Sequence, residues 1–161
     1  MVEIHGPRQV VLITCRYEDK DNILPVAWHT PLSFKPELYG IVIGKTRYSY
    51  ELIKKSRAFC INFISPKEID LIIKTGSSSG RNMDKFKAFG IKKEECRKIN
   101  CCRLKNLLAY LECKVINEVD TGDHVMFVAK VVEKGFFKKG ERIFHITANR
   151  FAKSTELTCK D

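Results

Sequence analysis

The chain has 161 residues, 44% of them apolar, with 29 lysines and arginines against 19 aspartates and glutamates, a formal charge of +10. That length and apolar share predict one domain, 1–161, with a core that needs neither disulfides nor a metal. The longest stretch without charge, Asn22 to Phe34, holds two prolines and a histidine, which excludes a bilayer-spanning helix.

In chain order, Met1 to Gly6 shows neither a basic region nor an apolar one, so no secretory signal is expected and the location expected is cytoplasmic. Gln9 to Cys15 is a β-branched run, and the polar segment Tyr17 to Asn22 separates it from a second extended run, Ile23 to His29, which predicts a hairpin. Pro31 and Pro36 disfavour helix, and Leu38 to Ile43 reads as a buried strand ending at Gly44. Ser49 is positioned to cap a short helix through Lys55, followed by a strand over Ala58 to Ile64. Ser65-Pro66-Lys67-Glu68 predicts a helix start, Gly76 its end, and Met83 to Phe89 a further helical piece closed by Gly90. Period-two alternation over Ala109 to Ile116, the turn Thr121-Gly122-Asp123, a strand over Val125 to Glu133 and a last one over Arg142 to Thr147 bring the total to about seven. Seven strands with short helices predict a closed or partly closed antiparallel barrel.

Seven cysteines, at 15, 60, 96, 101, 102, 113 and 159, show no Cys-x-x-Cys spacing, so reduced thiols are expected and no metal site. The cluster from Cys96 to Cys113 has no role assigned by spacing. Between Arg81 and Lys105 lie nine basic and three acidic residues, but the only aromatics are Phe86 and Phe89. Their helical spacing marks core contacts rather than a base-stacking platform, so nucleic acid is not the expected partner.

Gly44-Lys45-Thr46-Arg47-Tyr48-Ser49 joins a buried strand to a helix start. It combines two cations, hydroxyls and free backbone N–H groups at a positive dipole end, a combination that stabilises a phosphate. Gly-Lys-Thr is no Walker A motif, because the glycine that motif needs would fall on Tyr39 and the residues between are strand. Pro25 to Pro36 places hydroxyls and rings, Trp28 and His29 among them, between two strands and within reach of that cradle if the sheet curls.

These two segments resemble the flavin reductase-like, FMN-binding split-barrel family, including flavoredoxins and archaeal ferric reductases. So do Phe59-Cys60-Ile61-Asn62-Phe63, the run Ser79-Gly80-Arg81-Asn82-Met83-Asp84-Lys85-Phe86, and Gly122-Asp123-His124. The landmarks stand in family order from about Gly6 to Glu133. The resemblance implies a mostly β, Greek-key-like antiparallel split barrel with a few short helices, forming a homodimer with FMN near the interface. It implies that Ala27, Trp28, His29 and Thr30 with Ser33 line the isoalloxazine and ribityl chain, and that Lys45, Thr46, Arg47 and Ser49 hold the phosphate. Ser79, Gly80 and Arg81 would approach the cofactor, and His124 would act at the flavin face. Lys85 and Phe86 are read as packing and surface residues.

The implied activity is an oxidoreductase that passes electrons from NADH, NADPH or another donor through FMN to a flavin, ferric or protein acceptor. A flavoredoxin-like electron carrier without enzymatic turnover is the alternative, with a redox partner protein in either case, and a basic nucleic-acid-binding barrel is the least favoured. Trp28-His29-Thr30-Pro31 stands where many flavin reductases carry a serine/threonine-rich stretch. One phosphate needs only a few cations, so most of the +10 stays unassigned.

Overall fold

A computed structural model describes residues 3–157; Cys159 lies outside them. Seven strands form the main antiparallel sheet: β2 (Val11–Tyr17), β3 (Lys20–Val26), β4 (His29–Phe34), β5 (Glu37–Gly44), β6 (Ala58–Phe63), β9 (Ala109–Asp120) and β10 (His124–Phe136), in the order β3-β2-β6-β9-β10-β5-β4. The two edge strands, β3 and β4, are consecutive in the chain and joined only by Ala27 and Trp28. Extended backbone covers at most about 3.6 Å per residue, so the sheet must curl until its edges meet at that corner. The result is the split barrel, closed where β3 passes to β4 and open elsewhere.

Two apolar layers explain why so much of this sheet is buried on both faces. Val11, Ile13 and Cys15 of β2 point into the barrel with Ile41, Phe59, Ile61 and Phe127, and α1 (Tyr48–Ser56) plugs it with Leu52 and Ile53. Val10, Leu12 and Ile23 face outward but are covered by α2 (Ile69–Gly76), α3 (Lys85–Ala88) and the segment around Cys101, Cys102 and Leu104. Such a strand reads as a continuous apolar run rather than an alternating one. Buried polar groups staple the outer layer: Thr14 Oγ1 donates to the Cys102 carbonyl at 2.6 Å, and Asn62 accepts from Leu104 N–H at 2.9 Å.

Several elements differ from expectation. The first hairpin turns on Glu18-Asp19 alone, with Glu18 at φ +52°, so the strands run through the polar residues expected to be loop. His29 to Phe34 is strand despite Pro31, because β4 is an edge strand and a missing N–H costs no ladder bond there. The last expected strand, β11 (Ile143–Thr147), leaves the main sheet and pairs with β1 (Arg8–Gln9) and β12 (Arg150–Lys153). A small hairpin, β7 (Lys93–Glu95) with β8 (Cys102–Leu104), was not legible because its first strand is Lys-Glu-Glu. Arg47, not Ser49, precedes α1, and no side chain caps that helix; Ser49 is buried inside its first turn. The helix expected from Ser65 opens as a 3-10 turn, Pro66–Glu68, before α2.

Cys15, Cys60, Cys101, Cys102 and Cys113 are buried free thiols and Cys96 is half-buried. Burial pushes the Cys15 thiol up to about 12. No described helix is long and apolar enough to cross a membrane.

Candidate functional site

The chain leaves β5 at Gly44, turns so that Arg47 N–H donates to the Gly44 carbonyl at 3.0 Å, and enters α1 at Tyr48. No side chain caps α1, and Thr46 to Ser49 at its start border a cleft of about 180 Å³. The opposite walls come from Asn22 and Pro25 of β3, Thr75 and Gly76 at the end of α2, and the loop Ser78 to Gly80. Thr46, Arg47 and Ser49 line the α1 side. Helix dipole, guanidinium and hydroxyls therefore converge on one small volume, as an anion requires.

The floor of this cleft is Lys85, only 3% exposed. Its Nζ donates to the carbonyls of Ile23 at 2.9 Å and Thr75 at 2.6 Å. An ammonium carries three protons, so one remains for the cleft. Burial pulls the Lys85 pKa down to about 8, with Arg47 acting in the same direction. Beside it Asn22 donates to Ser49 Oγ at 2.7 Å, while Asn22 Oδ1 is buried without a partner. A Cβ on Gly80 would lie 2.3 Å from that oxygen and 3.1 Å from Tyr48 Cδ1. Only glycine lets the loop pass, and the orphaned acceptor is one that a ligand hydroxyl can satisfy.

A second, wider cleft of about 570 Å³ lies under the β3–β4 corner, lined by Arg8, Ala27, Trp28, His29, Thr30 and Met126 among others. Trp28 is 48% exposed, with the Arg8 guanidinium 5.7 Å from its ring centre and the His124 ring 4.9 Å away at 32°. His124 Nδ1–H donates to Asp123 Oδ1 at 2.6 Å, and that bond holds the Asp123 carboxyl below its ordinary value. A Cβ on Gly44 would meet His124 Nε2 at 3.5 Å and Arg47 Cγ at 3.8 Å. The open face of Gly44 is thus bordered both by Arg47, which lines the first cleft, and by His124, whose ring packs on Trp28 of the second.

Of the residues expected at the site, Thr46, Arg47, Ser49, Ser79 and Gly80 line the first cleft and Ala27, Trp28, His29 and Thr30 the second. His29 has both ring nitrogens engaged. Nε2–H donates to the Gln9 carbonyl at 3.0 Å, so Nδ1 accepts from Tyr39 O–H at 2.8 Å, and burial lowers the His29 pKa. Lys45 turns away to Asp120 at 2.6 Å, and Arg81 pairs with Glu51 and stacks on Tyr48. Ser33 sits further along β4 opposite Leu38 and lines neither cleft. Sequence reasoning passed over Asn22 and Lys85. Asn22 looked like turn polarity, and Lys85 like surface, whereas Asp84 accepts from Lys87 N–H to start α3 and turns Lys85 inward; Phe86 is core.

A model of the flavin reductase like domain matches residues 5–149. The chain belongs to the flavin reductase-like family. It is 34% identical over 132 residues to an uncharacterized protein of Archaeoglobus fulgidus, covering 82% of this chain and 74% of that one. It is 26% identical to the reductase component of a 4-nitrophenol 4-monooxygenase/4-nitrocatechol 2-monooxygenase of Rhodococcus opacus, covering 80% and 66%. An FMN-binding protein of Thermus thermophilus, crystallised with p-hydroxybenzaldehyde, superposes with a TM-score of 0.89 at 25% identity, covering 99% of this chain and 93% of that one. Family members of this kind are flavoproteins and oxidoreductases, and the split barrel is theirs.

Proposed function

We propose that this flavin reductase-like protein is an FMN-dependent oxidoreductase using NADH or NADPH. The observation that carries the reading is the cleft at the start of α1, where Thr46, Arg47 and Ser49 stand over the buried Lys85, with Gly44 bringing Arg47 close to the Trp28–His124 pair. Arg47, Lys85 and the start of α1 would hold the phosphate, Asn22 Oδ1 would be free to accept from a ribityl hydroxyl, and Ala27, Trp28 and Thr30 would border the ring. FMN, when bound, supplies the two-electron chemistry. Arg8, beside Trp28, would set a positive field in which charge on the ring is stabilised, and Asp123 orients His124. Trp28, just before edge strand β4, and Leu32 and Phe34 on it are exposed by 48%, 40% and 94%, which supports a homodimer formed at that edge beside the second cleft.

An anaerobic titration of the FMN-loaded protein with NADH and then NADPH tests the assignment. At least one nucleotide bleaches the flavin, and His124→Ala slows bleaching by roughly a hundredfold while FMN affinity stays within roughly threefold. Bleaching by neither nucleotide would instead mark a flavoredoxin-like carrier served by a redox partner, and an unchanged rate would leave His124 a turn residue.

A further inference from the structure

A third cavity, about 380 Å³ and mainly apolar, opens beside both clefts. It shares Pro25 and Gly76 with the first and Ala27 with the second. Its walls are Ile72 and Ile73 of α2, Val10 before β2, and Phe151 of β12; Ile73 is 39% exposed. The polar edge is the tip of the β11–β12 hairpin. There His145 lies 5.3 Å from the Phe151 ring and its Nε2 is 2.9 Å from the Ala148 carbonyl.

A carbonyl oxygen only accepts, so Nε2 carries a proton, and Nδ1 is the ring nitrogen left to accept from a ligand hydroxyl. Ala148, which supplies that carbonyl, has φ +47°, a left-handed conformation that strains a non-glycine residue. The hairpin tip thus holds a strained residue that fixes the tautomer of a ring at the cavity edge. Apolar walls reward a flat hydrocarbon face, and the polar edge, where His145 stands with Ser77 and Asn149, rewards a hydroxyl. An engineered apolar cavity of about 150 Å³ accommodates benzene, so this volume admits one or two fused rings.

We propose that this groove is a binding site for an aromatic alcohol of the phenol class, its ring between Ile72, Ile73 and Phe151 and its hydroxyl donating to His145 Nδ1. The proposal adds a substrate class to the proposed function and rests on that reading for its role beside the flavin, but not for the binding itself. Phenol and toluene, equal in heavy atoms, differ by that one donor.

Each is titrated calorimetrically into the full chain, with and without added FMN. Phenol saturates one site per chain roughly fivefold more tightly than toluene. His145→Phe abolishes that preference while toluene affinity stays within roughly twofold, and Ile73→Trp, which fills the groove, removes both isotherms. A lack of saturable binding, a preference that survives His145→Phe, or binding that survives Ile73→Trp overturns the proposal. If Ile73→Trp fails to fold, the His145→Phe comparison decides alone. Because the flavin-free titration stands by itself, failure of flavin binding and failure of this site are read separately.

Discussion

Replacing Lys85 with methionine lowers affinity for FMN at pH 7 by roughly thirtyfold, the usual worth of a hydrogen bond from a charged donor. Methionine keeps the aliphatic stem and removes only the charge and its donors. The pH dependence separates this role from a structural one. With its pKa pulled down to about 8, Lys85 loses its proton in the folded chain while an unfolded lysine keeps one until about 10.4. Between those values the unfolded state binds more protons, so the contribution of Lys85 to stability rises with pH. Phosphate affinity moves the opposite way over the same interval, because the cation disappears. Wild type minus Lys85→Met, measured by urea unfolding and by flavin fluorescence titration from pH 7 to 10, should show stability rising as affinity falls. Parallel curves for the two proteins would reduce Lys85 to a staple between Ile23 and Thr75.

Glu112 carries the second large effect, and it acts on the fold alone. Its carboxylate is fully buried and accepts from Arg97 N–H at 2.8 Å, Lys98 N–H at 2.7 Å and Arg103 Nη1 at 3.1 Å. Arg103 is itself nearly buried, lies 4.2 Å from the Tyr110 ring and pairs with Glu94 at 2.9 Å. Removing one member of such a buried set strands the others, so Glu112→Ala costs about 3–5 kcal/mol. The loop from Cys96 to Cys101, closed by the Cys96 N–H to Cys101 carbonyl bond at 2.9 Å, loses its anchor. Thiol labelling of Cys96 and Cys101 by an aromatic disulfide should accelerate well before global unfolding in denaturant. A stability loss below about 1 kcal/mol would mean that water substitutes for the carboxylate.

The strands with strong apolar runs, β2, β5, β6, β9 and β10, were legible because burial on one or both faces writes itself into residue type. β4 was not, since its proline, Pro31, is tolerated only by virtue of being at an edge, and edge position is a property of the closed sheet. The same holds at the site. Thr46, Arg47 and Ser49 announce an anion cradle locally, and the family resemblance added the ring-facing residues around Trp28. Lys85 could not be weighed from its neighbours, because what buries it is the packing of α3 against β3 and the end of α2. Lys45 and Arg81 look as basic in sequence as Arg47, yet Asp120 and Glu51, remote in the chain, claim them. The vacancy at Gly80 is likewise visible only against Asn22, brought there by the first hairpin.

On the reading proposed above, the cleft at the start of α1 binds the phosphate of a flavin mononucleotide. Affinities for FMN and for riboflavin, which differ by that phosphate, test it most directly when measured on wild type, Arg47→Ala and Lys45→Ala. FMN should bind wild type at least roughly a hundredfold more tightly than riboflavin, the worth of one or two charge-assisted bonds. Arg47→Ala should erase most of that difference, while Lys45→Ala, which breaks only an exposed pair with Asp120, should leave it nearly intact. Equal affinities for FMN and riboflavin in the wild-type protein would contradict it.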